Sequence, residues 1–486
     1  MKRNLLISTI VSSLAFISCS GKNAPSNSGS GTTTSPIAVT SYGSIDQWLT
    51  LSDKSILLTQ YKNQLNFNDA NTQASAIEVD STIKYQQMDG FGFCLTDASA
   101  YLINQMSATG KVKLLNELFA SDGNNIGISY LRVSIGASDL SRSVYTYDDM
   151  SGTQTDSLLN NFSINGTATT TDLIPVLKAI LAINPNIKIL GSPWSAPSWM
   201  KDNNNSKGGS LMQKYFASYA NYFVKYIQAM KAAGIMIDAI TPQNEPLNPD
   251  NNPSMYMVAT DEALFIKGYL GPAFEAAGLQ TKIIVWDHNC DHPDYPMSIL
   301  ADADAAKYVD GSGFHLYTGD ISAMERVHSA YPNKNLYFTE QYTASTGTFG
   351  GDLTWAIKNL IVGASQNWSK NVLEWNLASD PGVSLHTPGG CTTCLGAVTI
   401  DGDKVTRNQS YYIIAHASKF VPANSYRISS TSVSNIASVA FLTPDGKKVL
   451  VAVNASNALQ SFNIKYKGHN ALTSLNAGAV ATYVWN

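Results

Sequence analysis

The sequence predicts an α/β protein, a (β/α)8 TIM barrel with a side β-sandwich domain formed from both chain termini. The first observation is a series of eight short β-type runs that alternate with helical stretches in the middle of the chain. The second is a change after Phe420 to short alternating strands separated by turn residues. The third is a strand-like segment, Ile77–Asp80, which precedes the first run and could complete the sandwich.

The eight β-type runs supply the predicted barrel. Several of them, such as 187–190 and 282–286, are apolar and β-branched, as strands buried on both faces should be. Eight βα units within roughly 330 residues are compatible with a (β/α)8 barrel. The runs are Tyr85–Phe93, Ile128–Gly136, Ile187–Ser192, Ile237–Gln243, Lys282–Trp286, Gly311–Tyr317, Asn335–Thr339 and Asn371–Trp375.

The longest helical stretch, Leu211–Ala233, carries a stripe of tyrosines. Tyr215, Tyr219, Tyr222 and Tyr226 recur at helical spacing on one face. A ligand platform is one interpretation of the stripe. Packing of the helix on the barrel is the prediction that we adopt.

The predicted domain boundaries follow these changes of pattern. Residues 41–84 are expected to contribute to the sandwich, 85–418 to form the barrel and 419–486 to complete the sandwich. Residues 20–40 are rich in Ser, Thr, Gly and Asn without periodicity and are predicted to be a flexible tether.

Residues 1–19 are predicted to be a lipoprotein signal peptide. Lys2 and Arg3 precede an uncharged run, Leu5–Ile17, which is too short to span a bilayer at about 20 residues. The run ends shortly before Cys19, in an arrangement that resembles the bacterial lipoprotein box, in which the cysteine is lipid-modified. We expect an exported protein that is lipid-anchored to a bacterial membrane, periplasmic or at the cell surface. An ordinary cleaved signal peptide is the alternative.

Composition excludes two classes of protein. The 486 residues include 32 basic and 36 acidic side chains, a net charge of −4, which gives no electrostatic footprint for nucleic acid. Charged residues make up 14% and apolar residues 44%, so the chain is not intrinsically disordered and can bury a large core.

Two glutamates at predicted strand ends are the candidate catalytic residues. In a (β/α)8 barrel the active site lies at the C-terminal ends of the strands. Glu245 follows strand four and Glu340 follows strand seven, both in otherwise uncharged settings, and Glu374 is a third candidate. Two carboxylates facing each other across a barrel mouth suit glycoside hydrolysis. A surface or salt-bridged role is the alternative for any single glutamate, but Asn244 directly precedes Glu245 and aromatic residues surround both sites.

The ordered set of strand-end motifs resembles a known family. Asn244-Glu245-Pro246 with Glu340 resembles the retaining glycosidases that carry their glutamates after strands four and seven. The chain is similar to glycoside hydrolase family 30, which includes glucosylceramidases and endo-β-1,6-glucanases. The motifs that carry the resemblance are Asp89-Gly90-Phe91-Gly92, Thr96-Asp97-Ala98, the run from Ser192 to Lys201, and Trp375-Asn376-Leu377.

The resemblance implies a role for each matched residue. Glu245 would be the general acid/base and Glu340 the nucleophile. Substrate would be bound by Asp97, Trp194, Asn244, Tyr317 and Trp375. Arg132 and His315 would be supporting residues, with Arg132 holding Glu340 ionised or serving only in a structural ion pair.

The chemistry requires opposed pKa values for the two glutamates. We expect burial to keep Glu245 protonated and Arg132 to keep Glu340 ionised. His288 and His315 could suggest metal ligands, but histidines at a barrel rim more often form hydrogen bonds, and the resemblance implies neither a metal nor another cofactor.

Cys391 and Cys394 form a C-x-x-C pair in the loop after strand eight. A small loop disulfide, a redox pair and half a zinc site are possible interpretations. An exported protein favours the structural disulfide, with free thiols as the main alternative. A second C-x-x-C or a histidine cluster, which zinc would need, is missing from the sequence.

These observations predict a retaining β-glycoside hydrolase with β-1,6-glucan as its leading substrate. The loop that contains the cysteine pair is more like the microbial β-1,6-glucanase branch than the glucosylceramidases. The alternatives are a glucosylceramidase or another exo-β-glycosidase, acting on xylosides or fucosides. From another class, the alternative is a catalytically dead glycan-binding surface lipoprotein.

Overall fold

The computed structural model describes residues 40–70 and 74–486. The predicted signal peptide, Cys19 and nearly all of the predicted tether lie outside the described residues. Within the described part of the chain, no helix is long and apolar enough to cross a bilayer.

Eight parallel strands close into a barrel, as predicted. Each strand pairs with the next one along the chain, and the eighth pairs with the first. Barrel strands one to eight are Gly90–Cys94, Tyr130–Ser134, Lys188–Ser192, Ala239–Ile240, Lys282–Cys290, Val309–Gly319, Asn335–Glu340 and Ser369–Glu374.

The prediction of one strand over Tyr85–Phe93 was wrong, because the chain changes sheet within it. Residues up to Gln87 belong to the sandwich strand Ala76–Gln87, and the barrel strand begins at Gly90. Gly90 has a φ of +148°, and a Cβ there would lie 2.4 Å from the Ser129 hydroxyl oxygen. Only glycine fits this close approach, which is where the backbone turns from one sheet into the other.

Helices follow the barrel strands and cover the outside of the barrel. The tyrosine stripe packs into the core as predicted, since Tyr219, Tyr222 and Tyr226 are fully buried. The α-helices are Asp97–Gln105, Ala108–Phe119, Ile174–Ile183, Phe216–Ala232, Ala259–Phe265, Gly271–Ala276, Asp294–Ala301, Ala303–Ala306, Ala323–Ala330, Phe349–Ala356 and Gln409–Ser418. The π-helical and 3₁₀ turns are Thr169–Leu173, Ser198–Met200, Gln213–Tyr215, Ile266–Leu270 and Ile357–Ala364.

Nine strands from both ends of the described chain form the side domain. In hydrogen-bonding order they are Thr59–Asn66, Ser44–Thr50, Val480–Trp485, Lys448–Asn454, Ile436–Leu442, Tyr426–Ser430, Ala76–Gln87, Gln460–Tyr466 and His469–Leu475. Four of these strands were not predicted from the sequence: Thr59–Asn66, Ser44–Thr50, Tyr426–Ser430 and His469–Leu475. Short additional strands are Thr343–Ala344 with Cys394–Leu395, and Ala378–Ser379, Val398–Asp401 and Lys404–Arg407.

Period-two alternation ties the sandwich to the barrel. Val439 and Phe441 belong to the hydrophobic core of the barrel, whereas Ala440 on the same strand belongs to the core of the sandwich. On the neighbouring strand, Val451 belongs to the core of the barrel and Leu450 to the core of the sandwich. These strands read as continuous apolar runs because both of their faces are buried.

Candidate active site

The barrel interior is built in layers, and the candidate site is the upper one. Six side chains form a closed apolar layer: Tyr130, Leu190, Ala239, Ile284, Tyr337 and Leu373. Because side chains in a strand alternate with period two, residues two positions further along face the same interior, nearer the C-terminal ends. Those positions include Arg132, Ser192, Thr241 and Trp375. A hydrophobic floor therefore lies beneath a polar layer at the barrel mouth.

Arg132 is the centre of this polar layer and is fully buried. Its guanidinium donates to Glu340 Oε2 at 2.6 Å, Asp287 Oδ2 at 2.7 Å and Asn244 Oδ1 at 2.6 Å. Both carboxylates of this ion pair are also buried, so breaking either contact would leave an uncompensated charge. The predicted pairing of Arg132 with a carboxylate is confirmed, and its partners include Glu340.

Asp287 is turned into the barrel by a bulge. Trp286 and Asp287 both have positive φ, 76° and 54°, and the pairing register with strand six shifts at this point. Non-glycine residues in this conformation are strained and concentrate at functional sites. The Asp287 carboxylate accepts hydrogen bonds from the Ser192 and Thr241 hydroxyls at 2.7 and 2.8 Å. The sequence analysis assigned no role to Asp287, and its position at a strand end was the available signal.

Glu245 lies just beyond strand four, also with a positive φ of 46°. Its Oε1 is 3.1 Å from His315 Nδ1 and 3.8 Å from His288 Nδ1. Its Oε2 accepts a hydrogen bond of 2.7 Å from the Asn248 amide. The other nitrogen of His315, Nε2, is 3.2 Å from Asp287 Oδ1, so one imidazole joins the two carboxylates.

Glu340 ends strand seven on the facing side of the mouth. Its Oε1 accepts a 2.9 Å hydrogen bond from the Tyr317 hydroxyl and lies 3.8 Å from His315 Nδ1. The Oε1 atoms of Glu245 and Glu340 are therefore no further apart than the sum of 3.1 and 3.8 Å, 6.9 Å. Retaining glycosidases place their carboxyl groups about 5–5.5 Å apart and inverting ones about 6.5–9.5 Å. This bound on one oxygen–oxygen distance is compatible with the retaining geometry.

The pKa values of the two glutamates are opposed, but in the reverse sense to our expectation. Burial raises the pKa of Glu245, but the hydrogen bond and charge of His315 and the charge of His288 outweigh it and lower this pKa to about 2. Burial raises the pKa of Glu340, against the charges of His315 and Arg132. The expectation overlooked a cationic donor 3.1 Å from Glu245.

His315 holds the proton that Glu245 lacks. Burial disfavours its charged form, but the charge of Glu340 and the hydrogen bonds to Asp287 and Glu245 raise its pKa to about 9. His288 behaves differently, since burial lowers its pKa to about 4. At neutral pH the Glu245–His315 pair therefore carries one proton, on the imidazole.

Two tryptophans line the cavity beside these charges. The rings of Trp194 and Trp375 have centroids 5.2 Å apart and are tilted by 33°. The guanidinium of Arg132 lies 4.8 Å from the Trp194 centroid, a cation–π distance that fixes the ring. The structure thus brings together seven of the predicted residues with Arg132: Glu245, Glu340, Asn244, Trp194, Tyr317, Trp375 and His315.

Asp97 does not join this group by any hydrogen bond in the described chain. Its Oδ2 accepts from the Ser141 and Tyr145 hydroxyls at 2.7 and 2.9 Å, contacts that anchor the loop after strand two. Asp139 in that loop is buried and interacts electrostatically with both Glu245 and Glu340. Burial and the charges of Glu340 and Glu245 raise the pKa of Asp139 to about 7. The sequence analysis missed Asp139, because no residue pattern distinguishes it from other loop aspartates.

Glu374, the third candidate carboxylate, is buried away from the mouth. Neither of its oxygens has a hydrogen-bond partner among the described atoms. Burial, with a smaller contribution from Asp352, raises its pKa well above its usual value. Successive side chains of a strand point to opposite faces, so Glu374 points away from the cavity that its neighbour Trp375 faces.

One cluster has ligand types that a divalent metal could use. A carboxylate oxygen of Glu245 and ring nitrogens of His288 and His315 lie within 4.8 Å of one another. Glu245 and His315 are already hydrogen-bonded to each other, and His315 also contacts Asp287. That the enzyme needs no metal stays a prediction.

Comparison with known proteins identifies the family. The model of the glycosyl hydrolase family 30 TIM-barrel domain matches residues 88–421, and that of the family 30 beta sandwich domain matches residues 424–483. The chain belongs to glycosyl hydrolase family 30. It is therefore a retaining glycoside hydrolase, and both the resemblance and the enzyme class predicted from the sequence are confirmed.

The relatives of this chain within family 30 include proteins named as endo-1,6-glucanases and proteins named as glucosylceramidases. Endo-1,6-beta-D-glucanase BGN16.3 of Trichoderma harzianum is 38% identical over 393 residues, 76% of this chain and 78% of the relative. The solved endo-beta1,6-glucanase BT3312 is 36% identical with a TM-score of 0.84, covering 91% of this chain and 99% of that one. The lysosomal acid glucosylceramidase of Mus musculus is 29% identical over 430 residues, 83% of this chain and 82% of the relative.

Proposed function

We propose that this family 30 enzyme cleaves β-1,6-glucan by double displacement, with Glu340 as nucleophile and Glu245 as acid/base. The observation that carries the proposal is the facing pair of carboxylates, bridged by His315 and with Arg132 bound to Glu340. The β-1,6 linkage is supported by the relatives at 36–38% identity, which are named as endo-1,6-glucanases.

In the first step Glu340 attacks the anomeric carbon of the glucosyl unit. Arg132 and Tyr317 donate hydrogen bonds to its two oxygens, which orients the carboxylate and stabilises its charge before attack. The leaving oxygen takes the proton of the Glu245–His315 pair through Glu245. As the glycosyl–enzyme bond forms, the charge of Glu340 disappears, so His315 loses the largest interaction that raises its pKa.

In the second step the same pair acts as base. Glu245 accepts a proton from water as the water attacks the anomeric carbon, and Glu340 leaves as carboxylate. The change in the charge of Glu340 between the steps is what lets one group serve as acid first and base second.

Other side chains near the two glutamates orient the sugar. The Asn244 Oδ1 accepts from Arg132, so its amide nitrogen is the atom that can donate to a substrate hydroxyl. Trp194 and Trp375 offer apolar ring surface to the sugar. The acceptor that we assign to the distal hydroxyls is Asp139, whose carboxyl group interacts electrostatically with both glutamates. The role predicted for Asp97 in binding those hydroxyls stays a prediction.

The alternatives differ in substrate or in class. Glucosylceramidases are among the relatives at 27–30% identity, so glucosylceramide hydrolysis is the nearest alternative activity. A dead glycan-binding lipoprotein would have no need of an intact carboxylate pair held by a buried arginine. We also propose that the protein is exported and lipid-anchored at Cys19, which the sequence alone supports. Cys19→Ser should abolish incorporation of labelled fatty acid.

Product analysis tests the proposed substrate. The purified enzyme should release β-1,6-linked gluco-oligosaccharides from β-1,6-glucan and little from β-1,3-glucan, β-1,4-glucan or glucosylceramide. Glu340→Gln and Glu245→Gln should each lose most of the activity, with Glu374→Gln as the matched control that retains it. Faster turnover of glucosylceramide than of β-1,6-glucan would overturn the substrate assignment.

A further inference from the structure

The segment Thr387–Leu395, here called the clasp, is closed by a disulfide between Cys391 and Cys394. The predicted loop disulfide is therefore present. The two cysteines are only three positions apart, and a bridge that closes so short a loop restricts the unfolded chain very little. Its physical effect is therefore local and falls on whatever the clasp touches.

The clasp touches the loop that carries Asp139. The Thr387 backbone N–H donates to the Asp139 carbonyl oxygen at 2.9 Å, and the Thr387 hydroxyl donates to the same oxygen at 3.2 Å. A Cβ at Gly390 would lie 2.4 Å from that oxygen, so the two backbones meet at a distance that admits only glycine. The backbone position of Asp139 is thus set by the clasp.

The clasp also touches the loops that follow the two catalytic glutamates. Beyond Glu245, the Asn252 amide donates to the Pro388 carbonyl oxygen at 2.9 Å, and the Thr387 hydroxyl lies in contact with the Asn252 carbonyl. Beyond Glu340, Cys394 and Leu395 pair as a short antiparallel ladder with Ala344 and Thr343. The Ser345 N–H donates to the Thr393 carbonyl oxygen at 2.8 Å.

The disulfide itself packs against the aromatic wall of the cavity. Cys394 belongs to the same buried cluster as Trp194 and Trp375, and Cys391 packs at its edge beside Tyr342. The clasp therefore joins three rim loops and supports two tryptophans, and the disulfide fixes its conformation.

We propose that the Cys391–Cys394 disulfide makes the clasp a positioning element of the sugar-binding cavity, which holds Asp139 and the Glu245 and Glu340 loops in their relative places. Opening the disulfide lowers kcat/KM by local loosening and leaves the barrel folded. This inference rests on the proposed function, because the groups positioned are those that would bind and cleave the sugar.

Kinetics of the double variant Cys391→Ser/Cys394→Ser and of the reduced wild type test the inference. Dithiothreitol supplies two electrons and two protons to the S–S bond, which becomes two thiols while the reagent becomes a cyclic disulfide. We expect kcat/KM on β-1,6-gluco-oligosaccharides to fall at least about tenfold in both proteins, mainly through KM. Reoxidation should restore the wild type, and dithiothreitol should not change the double variant. Values within twofold of the oxidised wild type in both proteins would overturn the inference.

Hydrogen exchange gives a readout that does not depend on catalysis. On reduction, the amides of Thr387 and Ser345 should exchange faster, while peptides from barrel strands two and three keep their protection. Unchanged exchange at both amides would overturn the inference, and so would a loss of protection throughout the barrel. If the oxidised enzyme hydrolyses no β-1,6-linked substrate, the proposed substrate fails, and the exchange experiment still decides the role of the clasp.

Discussion

The proton shared by Glu245 and His315 gives the account its sharpest prediction, a change in the pH dependence of His315→Gln. The active form carries the proton, and the pair loses it as the pH rises through the His315 pKa of about 9. The wild type should therefore show an alkaline limb of kcat/KM near pH 9. Glutamine removes the cationic partner but keeps a hydrogen-bonding side chain.

The size of the shift follows from what remains around Glu245. Without the imidazolium, the acid is Glu245 alone, and its pKa lies between the ordinary value of about 4.3 and the 8–9 that deep burial can reach. The alkaline limb should move to lower pH, and each unit of that shift corresponds to about 1.4 kcal/mol between the protonation states.

His288→Gln is the matched control. His288 also faces Glu245, at 3.8 Å, but its pKa of about 4 leaves it neutral throughout the alkaline range. Its replacement should leave the limb in place. The assay is kcat/KM from pH 5 to 10 on a β-1,6-linked gluco-oligosaccharide, whose leaving group needs the proton. An unmoved limb in His315→Gln, or an equal shift in both variants, would refute the proton-sharing argument.

Three other substitutions test the stability and binding arguments. Glu374 has a raised pKa in the folded state, so the stability that it contributes is present below the unfolded pKa of about 4.3 and declines as the pH rises towards the folded pKa. In Glu374→Gln the free energy of unfolding should decline less steeply with pH, by up to about 1.4 kcal/mol per pH unit. Urea titrations at pH 5–8 measure the difference. Asp139→Asn should lower kcat/KM by about tenfold or more, because a charged acceptor for substrate hydroxyls is lost, and an unchanged value would exclude that role. Phe441→Ala, at the buried barrel–sandwich contact, should cost about 3–5 kcal/mol in denaturant titrations, whereas Leu472→Ala on the exposed face of the sandwich should cost under about 1 kcal/mol.

The barrel could be predicted because its strands are buried on both faces and leave continuous apolar runs in the sequence. The central residues of seven of the eight runs lie in barrel strands, and the exception is Tyr85–Phe93, whose centre lies between a sandwich strand and the first barrel strand. The weakest agreement is strand four, predicted over Ile237–Gln243 but paired only at Ala239 and Ile240. Its last residues turn away to present Asn244 and Glu245 to the cavity.

The unpredicted sandwich strands are polar or lie at the ends of the sheet order. Thr59–Asn66 is mostly exposed, so its sequence lacks the apolar alternation that marks a half-buried strand. His469–Leu475, which was not predicted, follows the predicted strand Gln460–Tyr466 after a turn of only two residues, Lys467 and Gly468. Lys467 and Gly468 both have positive φ, the geometry of a tight hairpin turn.

Site residues could be predicted from the sequence where a chemically suitable side chain stands on or at the end of a predicted strand. They could not be predicted where a bulge or a contact between strands brings the side chain into the site. Glu245 and Glu340 stand at the ends of strands four and seven in otherwise uncharged sequence, and Arg132 lies in the middle of strand two. Asp287 faces the cavity only because a bulge turns it inward, which sequence spacing does not reveal. The reversed pKa order depends likewise on His315 reaching Glu245 from another strand.

Trapping the covalent intermediate shows whether Glu340 is the residue that attacks the sugar. The fluorinated substrate 2-deoxy-2-fluoro-β-glucosyl fluoride forms the glycosyl–enzyme and slows its hydrolysis, so the labelled peptide can be found by mass spectrometry after digestion. We expect one added fluoroglucosyl group, on Glu340, and none in Glu340→Gln. A label on Glu245 or on any other residue, or inactivation of Glu340→Gln at the wild-type rate, would contradict it.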